Sequence, residues 1–270
     1  MNIKTGKILA ILSLSVTFLP GVVNADSSDS WDYGLSIYGW FPDLSGQVSV
    51  PAGEGGDFSV PIDSILDNLK FTFQGSFDAR KDRWGLVSDV IYMDLGDTQS
   101  NASEGTVGGQ DWPFDVTGKV KFDMKSWIWT TSGYYRVIDQ PEGTMDLMAG
   151  FRYADVKQSL DWSLSGNIAD LPLPGRDGGG KVSGDYWDVI IGARGNLRFG
   201  ADNSWFIPYY ADIGTGDSDL TWQVSGGIGY SFNWGDMAAV WRYLSYDMPS
   251  NKPIKDMEFS GPVIGAVFRW

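Results

Sequence analysis

Ten stretches of this chain alternate apolar and polar residues with period two, and this alternation limits the fold more than any other feature. Period two is the signature of a strand with one dry and one polar face. The clearest case has Leu220, Trp222, Val224, Ile228 and Tyr230 on one parity and Thr221, Gln223, Ser225, Gly227, Gly229 and Ser231 on the other. The other nine begin near Trp31, Lys70, Trp84, Trp127, Leu147, Trp187, Trp205, Ala239 and Ser260. The last runs Pro262, Ile264, Ala266, Phe268, Trp270 against Gly261, Val263, Gly265, Val267, Arg269, and it stops on the aromatic.

The connections decide between a soluble sandwich and a closed barrel. Links after every second strand are short: 80–83, 138–144, 200–204 and 233–236. Those after the first, third and fifth are long, near 42–68, 96–113 and 158–183. Short turns at one rim and long loops at the other predict an all-β, transmembrane, antiparallel up-and-down β-barrel. Ten strands close it, with periplasmic termini and long extracellular loops. Residues 46–60 could form a further hairpin, which gives twelve strands as the alternative, but Pro51, Glu54 and Asp57 favour a hairpin outside the lipid. A short helix is expected over 62–69, capped by Asp63 or Ser64. Pro208 and Pro262 each remove a ladder donor, and a bulge is expected at both.

The first 25 residues read as a cleaved signal peptide: Lys4 and Lys7, the apolar run 8–19, then Val23-Asn24-Ala25 before Asp26. The barrel is expected to occupy 26–270. Twenty basic against 34 acidic residues, a net charge of −14, argue against nucleic acid as a partner. With no Cys, disulfides are excluded; with no His, so is the commonest catalytic base and metal ligand. Thirteen Trp, twelve Tyr and fourteen Phe exceed what a soluble core of this size uses, and suit two aromatic belts.

The leader, the Gly-aromatic strands (Ala149-Gly150-Phe151-Arg152-Tyr153, Gly227-Ile228-Gly229-Tyr230) and the Phe268-Arg269-Trp270 ending are similar to those of small single-chain, porin-like outer-membrane β-barrel proteins of Gram-negative envelopes. That resemblance covers 31–270. It implies localisation in the outer membrane, contact with its lipid and lipopolysaccharide, and a final strand in which Phe268 and Trp270 are the assembly signal read by the barrel-assembly machinery. It is specific for architecture and weak for function. Proteases resembling the omptins, and the phospholipase, deacylase and palmitoyl transferase of such membranes, all depend on a His that this chain lacks. A non-enzymatic protein is therefore expected, with no cofactor.

Nine charged residues take the parity opposite the lipid face: Lys70, Asp78, Arg80, Asp89, Arg152, Asp188, Arg194, Asp212 and Arg242. Across a narrow lumen they form a paired network that plugs it, or a polar pathway for small solutes. Lys119, Lys121 and Lys125 form a basic stripe above a belt, facing lipopolysaccharide phosphates or solvent. The acidic loops, including Asp217 and Asp219, are a solvated surface or a weak divalent-cation site. The leading functional expectation is a small or gated pore or a structural envelope component. The alternative is a surface binding or adhesion module that uses its acidic loops, and a hydrolase comes last.

Overall fold

Alternation turns one side of every strand outward and the other into a common interior. The computed structural model describes residues 30–49, 55–60, 63, 69–102, 116–168, 171–172, 176–250 and 254–270. The expected leader lies outside them, as does the 62–69 helix apart from Asp63 and Leu69. The elements are β1 (Asp32–Trp40), β2 (Asp43–Ser49), β3 (Gly55–Val60), β4 (Leu69–Lys81), β5 (Trp84–Ala102), β6 (Val116–Gln140), β7 (Gly143–Ile168), β8 (Leu171–Pro172), β9 (Arg176–Phe199), β10 (Trp205–Gly216), β11 (Leu220–Phe232), β12 (Gly235–Asp247) and β13 (Ile254–Arg269).

Each long strand pairs antiparallel with its neighbours, and β1 pairs with both β4 and β13, which closes the sheet. β13 carries β1 as far as Trp40 opposite Val263 and takes up β2 from Asp43 opposite Ser260. β1 and β2 are therefore one barrel strand, broken at Phe41-Pro42, and the barrel has ten strands. β3 pairs only with β2 and adds no strand to the barrel, as expected for an added hairpin arm rather than a twelve-stranded wall. β8 pairs only with the tip of β7.

The prolines do not mark bulges. The β12–β13 register is unbroken from Asp236 opposite Val267 to Asp247 opposite Asp256. Pro262 lies beside the break in the first strand, where its carbonyl accepts from the Phe41 N–H at 3.0 Å. Its missing donor falls where the ladder is already interrupted. At Gly261 a Cβ would stand 2.2 Å from the Phe41 carbonyl oxygen, so only glycine lets the broken strand pass this close. Around Pro208 the β10–β11 ladder skips two residues and resumes in the same register, while the β9 side continues. Register shifts occur instead at Leu69/Phe71, Leu95/Thr98, Arg136/Ile138 and Ile254/Asp256.

Of the expected long loops, that near 158–183 is largely paired strand, and that near 96–113 is paired strand as far as Ala102. β5 pairs with β6 out to Ala102 opposite Gly118, β6 with β7 to Val116 opposite Gly166, and β7 with β9 to Leu164 opposite Arg176. From Trp127 to Val116 the strand covers roughly 35 Å at about 3.3 Å per residue. One side of the barrel thus rises as a four-stranded wall above its upper aromatic belt.

The outer face is apolar. Val189, Ile191 and Ile264 are exposed to 67, 61 and 56%, an amount of bare aliphatic surface that only lipid accommodates. Aromatic rings flank this band. At the turn-bearing rim Trp31, Tyr33 and Trp270 stack in succession, Trp84 meets Tyr135, and a chain of contacts runs from Phe199 through Trp205, Tyr230, Phe232 and Trp234 to Phe268. At the other rim Phe71, Tyr92 and Trp127 are in contact, as are Trp129, Phe151, Trp187 and Tyr153. Trp84 and Tyr92 of β5 lie ~26 Å apart along the strand. With a tilt of about 40° that becomes ~20 Å of height, close to the apolar band of outer-membrane barrels.

Candidate functional site

The interior is built in three levels, because each strand contributes inward residues at fixed vertical steps. The level nearest the short turns is charged. Arg80 pairs with Asp32 at 2.5 Å and with Asp139 at 3.8 Å. Asp139 also approaches Arg136 at 3.6 Å. Arg136 donates to Asp146 at 2.7 Å, and Asp146 lies 3.3 Å from Arg194. Arg194 pairs with Asp78, whose other oxygen accepts from the Tyr134 hydroxyl at 2.8 Å. The Arg194 guanidinium covers the Tyr134 ring at 4.3 Å. This chain of pairs runs round a cavity of about 710 Å³ that opens at the turn-bearing rim.

The middle level consists of two Tyr-Asp-Arg sets. Tyr38 donates to Asp89 at 2.6 Å and accepts from Arg242 at 3.2 Å, and Arg242 lies 3.6 Å from Asp89. In the second set Asp212 is held by Arg152 and by the Tyr210 hydroxyl. Arg152 also donates to Thr130 at 3.3 Å and to Thr221 at 3.1 Å. Its side chain and that of Asp212 have no accessible surface. Arg152 of β7 thereby reaches β6, β10 and β11, so it lies across the bore rather than along one wall.

The upper level is apolar. Trp40, Leu44, Ile91, Met93, Met124, Ile128, Val156, Tyr186, Leu244, Met257 and Phe259 are buried against one another. They come from most of the barrel strands and fill the interior below the wall. Asp188 is buried here with its charge satisfied by the Ser218 N–H at 2.9 Å and hydroxyl at 2.8 Å.

Eight of the nine expected lumen charges take places in these levels. Lys70 does not. The register shift at Leu69/Phe71 turns it outward, 58% exposed and 3.6 Å from Asp123. The first two levels also use residues that sequence reasoning passed over: Tyr38, Tyr134, Tyr210, Arg136 and Asp146. The parity of Tyr38 opposite Ile37 was a readable sign, as was that of Arg136 between the outward Tyr135 and Val137.

Lys125 is exposed above the upper belt, 3.1 Å from Asp94, whose carboxylate holds the ammonium above its ordinary pKa. Lys119 and Lys121 lie farther up β6, opposite Asn101 and Gln99, and their side chains fall outside the described residues. Asp217 accepts from the Trp187 N–H at 2.9 Å. Asp217 and Asp219 belong to no convergent group of three carboxylates among the described residues. Phe268 faces out against Trp234 at 5.6 Å. Trp270 exchanges two backbone hydrogen bonds with Tyr33 at 2.9 and 3.1 Å, completing the seam. Arg269, opposite in parity, turns inward to Asp236.

No protein-family model matches the chain, and no curated protein matches it. Among solved structures it is similar to the outer membrane protease OmpT from Escherichia coli, with a TM-score of 0.48 and 10% identity over 92% of this chain and 99% of that one. It is also similar to the translocator domain of the autotransporter NalP from Neisseria meningitidis, with a TM-score of 0.42 and 11% identity over 92% and 90%. A third is Ail, the attachment invasion locus protein of Yersinia pestis, with a TM-score of 0.33 and 9% identity over 90% and 99%. The closed antiparallel wall leaves no sheet edge in lipid, and its apolar outer band lies between two aromatic belts. The chain has the fold of an outer-membrane β-barrel.

Proposed function

We propose that this protein is a non-enzymatic, non-conducting barrel, a structural envelope component that anchors an extracellular β-wall. The observation that carries the reading is the layered filling of the bore. Two fully buried charged side chains cross it at mid-height, and a continuous apolar cluster lies above them. An ion entering from the periplasm would have to shed most of its water against that cluster, where the Asp188 carboxylate is already engaged by Ser218. The absence of His from the whole sequence removes the usual base from any hydrolytic scheme.

Planar-bilayer recording of the refolded barrel tests this directly. Silence at all voltages below dielectric breakdown is expected, and steady single-channel steps would overturn the proposal in favour of a pore. A second reading, a surface binding module, is supported by the length of the β5–β6–β7–β9 extension, which exceeds what closing the barrel requires. Deleting the extension down to the upper belt should leave the barrel folded and remove any adhesion the intact protein confers on cells.

A further inference from the structure

The side chains that line the cavity at the turn-bearing rim are net basic. Each aspartate among them has a guanidinium partner: Asp32 that of Arg80, Asp78 that of Arg194, Asp146 that of Arg136 and Asp236 that of Arg269. Arg198 also lines the cavity, and it has no ion pair among the described residues. Asp139, which approaches Arg80 and Arg136, stands outside the lining. Asp202, in the turn that follows Arg198, accepts from the Ser204 hydroxyl at 2.6 Å.

The uncompensated guanidinium is held in place. Its Nη1 donates to the Asn203 carbonyl and to the Ser231 hydroxyl, both at 3.1 Å, which ties it to the β9–β10 turn and to β11. Its centre lies 5.5 Å from the Phe206 ring centre. Both contacts with oxygen use Nη1. Nε and Nη2, the two donors of the side-on edge, have no acceptor among the described residues. That edge presents two parallel N–H groups at the spacing of two oxygens of a carboxylate or phosphate. Asn196 lines the same wall one inward step along β9, about 7 Å away in backbone terms. Its side-chain amide has no hydrogen bond among the described residues and is free to donate.

We infer that Arg198 anchors an anion site in this vestibule. The site takes a small oxyanion, a carboxylate or a phosphate, on the Nε–Nη2 edge, with the Asn196 amide as a second donor. A half-buried guanidinium without a counter-charge, in a lining whose other charges are matched, draws an anion and repels a cation. The cavity volume, about 710 Å³, lies within the range of small-molecule sites, so the oxyanion can belong to a small organic acid or phosphate ester. The site opens at the rim, so it does not depend on the bore above it being closed.

Calorimetric titration of the intact mature barrel, in micelles of an uncharged detergent at constant ionic strength, tests this. The probes are glycerol 3-phosphate and succinate, with choline and glycerol as the cationic and neutral controls. Saturable heat is expected with an oxyanion and none with either control; binding by one oxyanion alone assigns the site to phosphate or to carboxylate. Arg198→Gln should weaken that binding about tenfold, the worth of one charge-assisted contact, and Arg198→Lys should recover part of it. Heat-modifiable migration on gels confirms that each variant is folded. No heat with either oxyanion, or binding of choline as tight as that of the oxyanions, would mean a merely hydrated vestibule and overturns the inference. Undiminished binding in a folded Arg198→Gln barrel overturns it as well.

Discussion

The Arg152–Asp212 pair makes the most exacting test of the filled bore. Both side chains are inaccessible, and Asp212 faces Arg152 with one oxygen while its Oδ1 has no hydrogen-bond partner among the described residues. Replacing Arg152 by Met keeps most of the volume and removes the charge. Asp212 then retains a single donor, the Tyr210 hydroxyl, and Thr130 loses its Arg152 contact. Thr221 is less affected, since it still donates to the Ser245 carbonyl at 3.0 Å. Stranding one member of a buried pair costs about 3–5 kcal/mol, and the remaining tyrosine contact places this site near 4. Asp212→Asn should cost a similar amount by stranding Arg152. The double variant has no buried charge left, so its cost should fall at least 2 kcal/mol short of the sum of the singles. Urea unfolding of vesicle-inserted barrel, followed by tryptophan fluorescence and β-sheet ellipticity, measures all three. A cost below 1 kcal/mol for Arg152→Met, or strict additivity in the double variant, would refute the claim that these charges are desolvated across the bore.

Three further outcomes are expected. Single-tryptophan variants that retain Trp84 or Trp127 should both be quenched by lipids brominated near the headgroup and not by lipids brominated at the chain ends; deep quenching of either would displace its belt. Gly150→Ala and Gly195→Ala each place a Cβ 2.0 Å from a neighbouring carbonyl oxygen, of Thr131 and Thr144 respectively, so both should lower refolding yield severalfold, whereas Gly133→Ala, with its nearest atom at 4.0 Å, should not. Replacing Lys119, Lys121 and Lys125 together with Gln should reduce lipopolysaccharide co-purification if the stripe meets lipid phosphates; unchanged lipid would assign it to solvent.

Much of the wall was legible because lipid and lumen impose opposite demands on successive residues. Trp205, Ile207 and Ile213 against Asp212 leave no second interpretation of β10, and the proline at 208 does not disturb the register. Parity fails where an extra residue enters a strand. Lys70 shares its parity with Asp78 and Arg80, yet the shift beside Phe71 sends it outward. Loops misled for a different reason. The alternation that marks a strand in lipid persists in a strand that has left it, so the paired extensions above Trp127 and Trp187 carry no sign of where the membrane ends.

The partners inside the barrel were not legible, and the reason is geometric. Parity says that Arg152, Asp212, Asp89 and Arg242 point inward, but pairing across a bore depends on height. Height depends on the stagger accumulated from strand to strand round the closed sheet. Arg152 and Asp212 are 60 residues apart in sequence and reach the same level only because β7, β9 and β10 each pair at one particular register. A shift of two residues in any one ladder would preserve every side chain's inward parity while moving Arg152 about 7 Å along the strand relative to its acid. Closure at ten strands therefore does more than seal the edge: it converts a set of inward charges, which a sequence can announce, into specific pairs. The same stagger leaves Arg198 at the turn-bearing rim, held by the Asn203 carbonyl and the Ser231 hydroxyl and with no ion pair among the described residues.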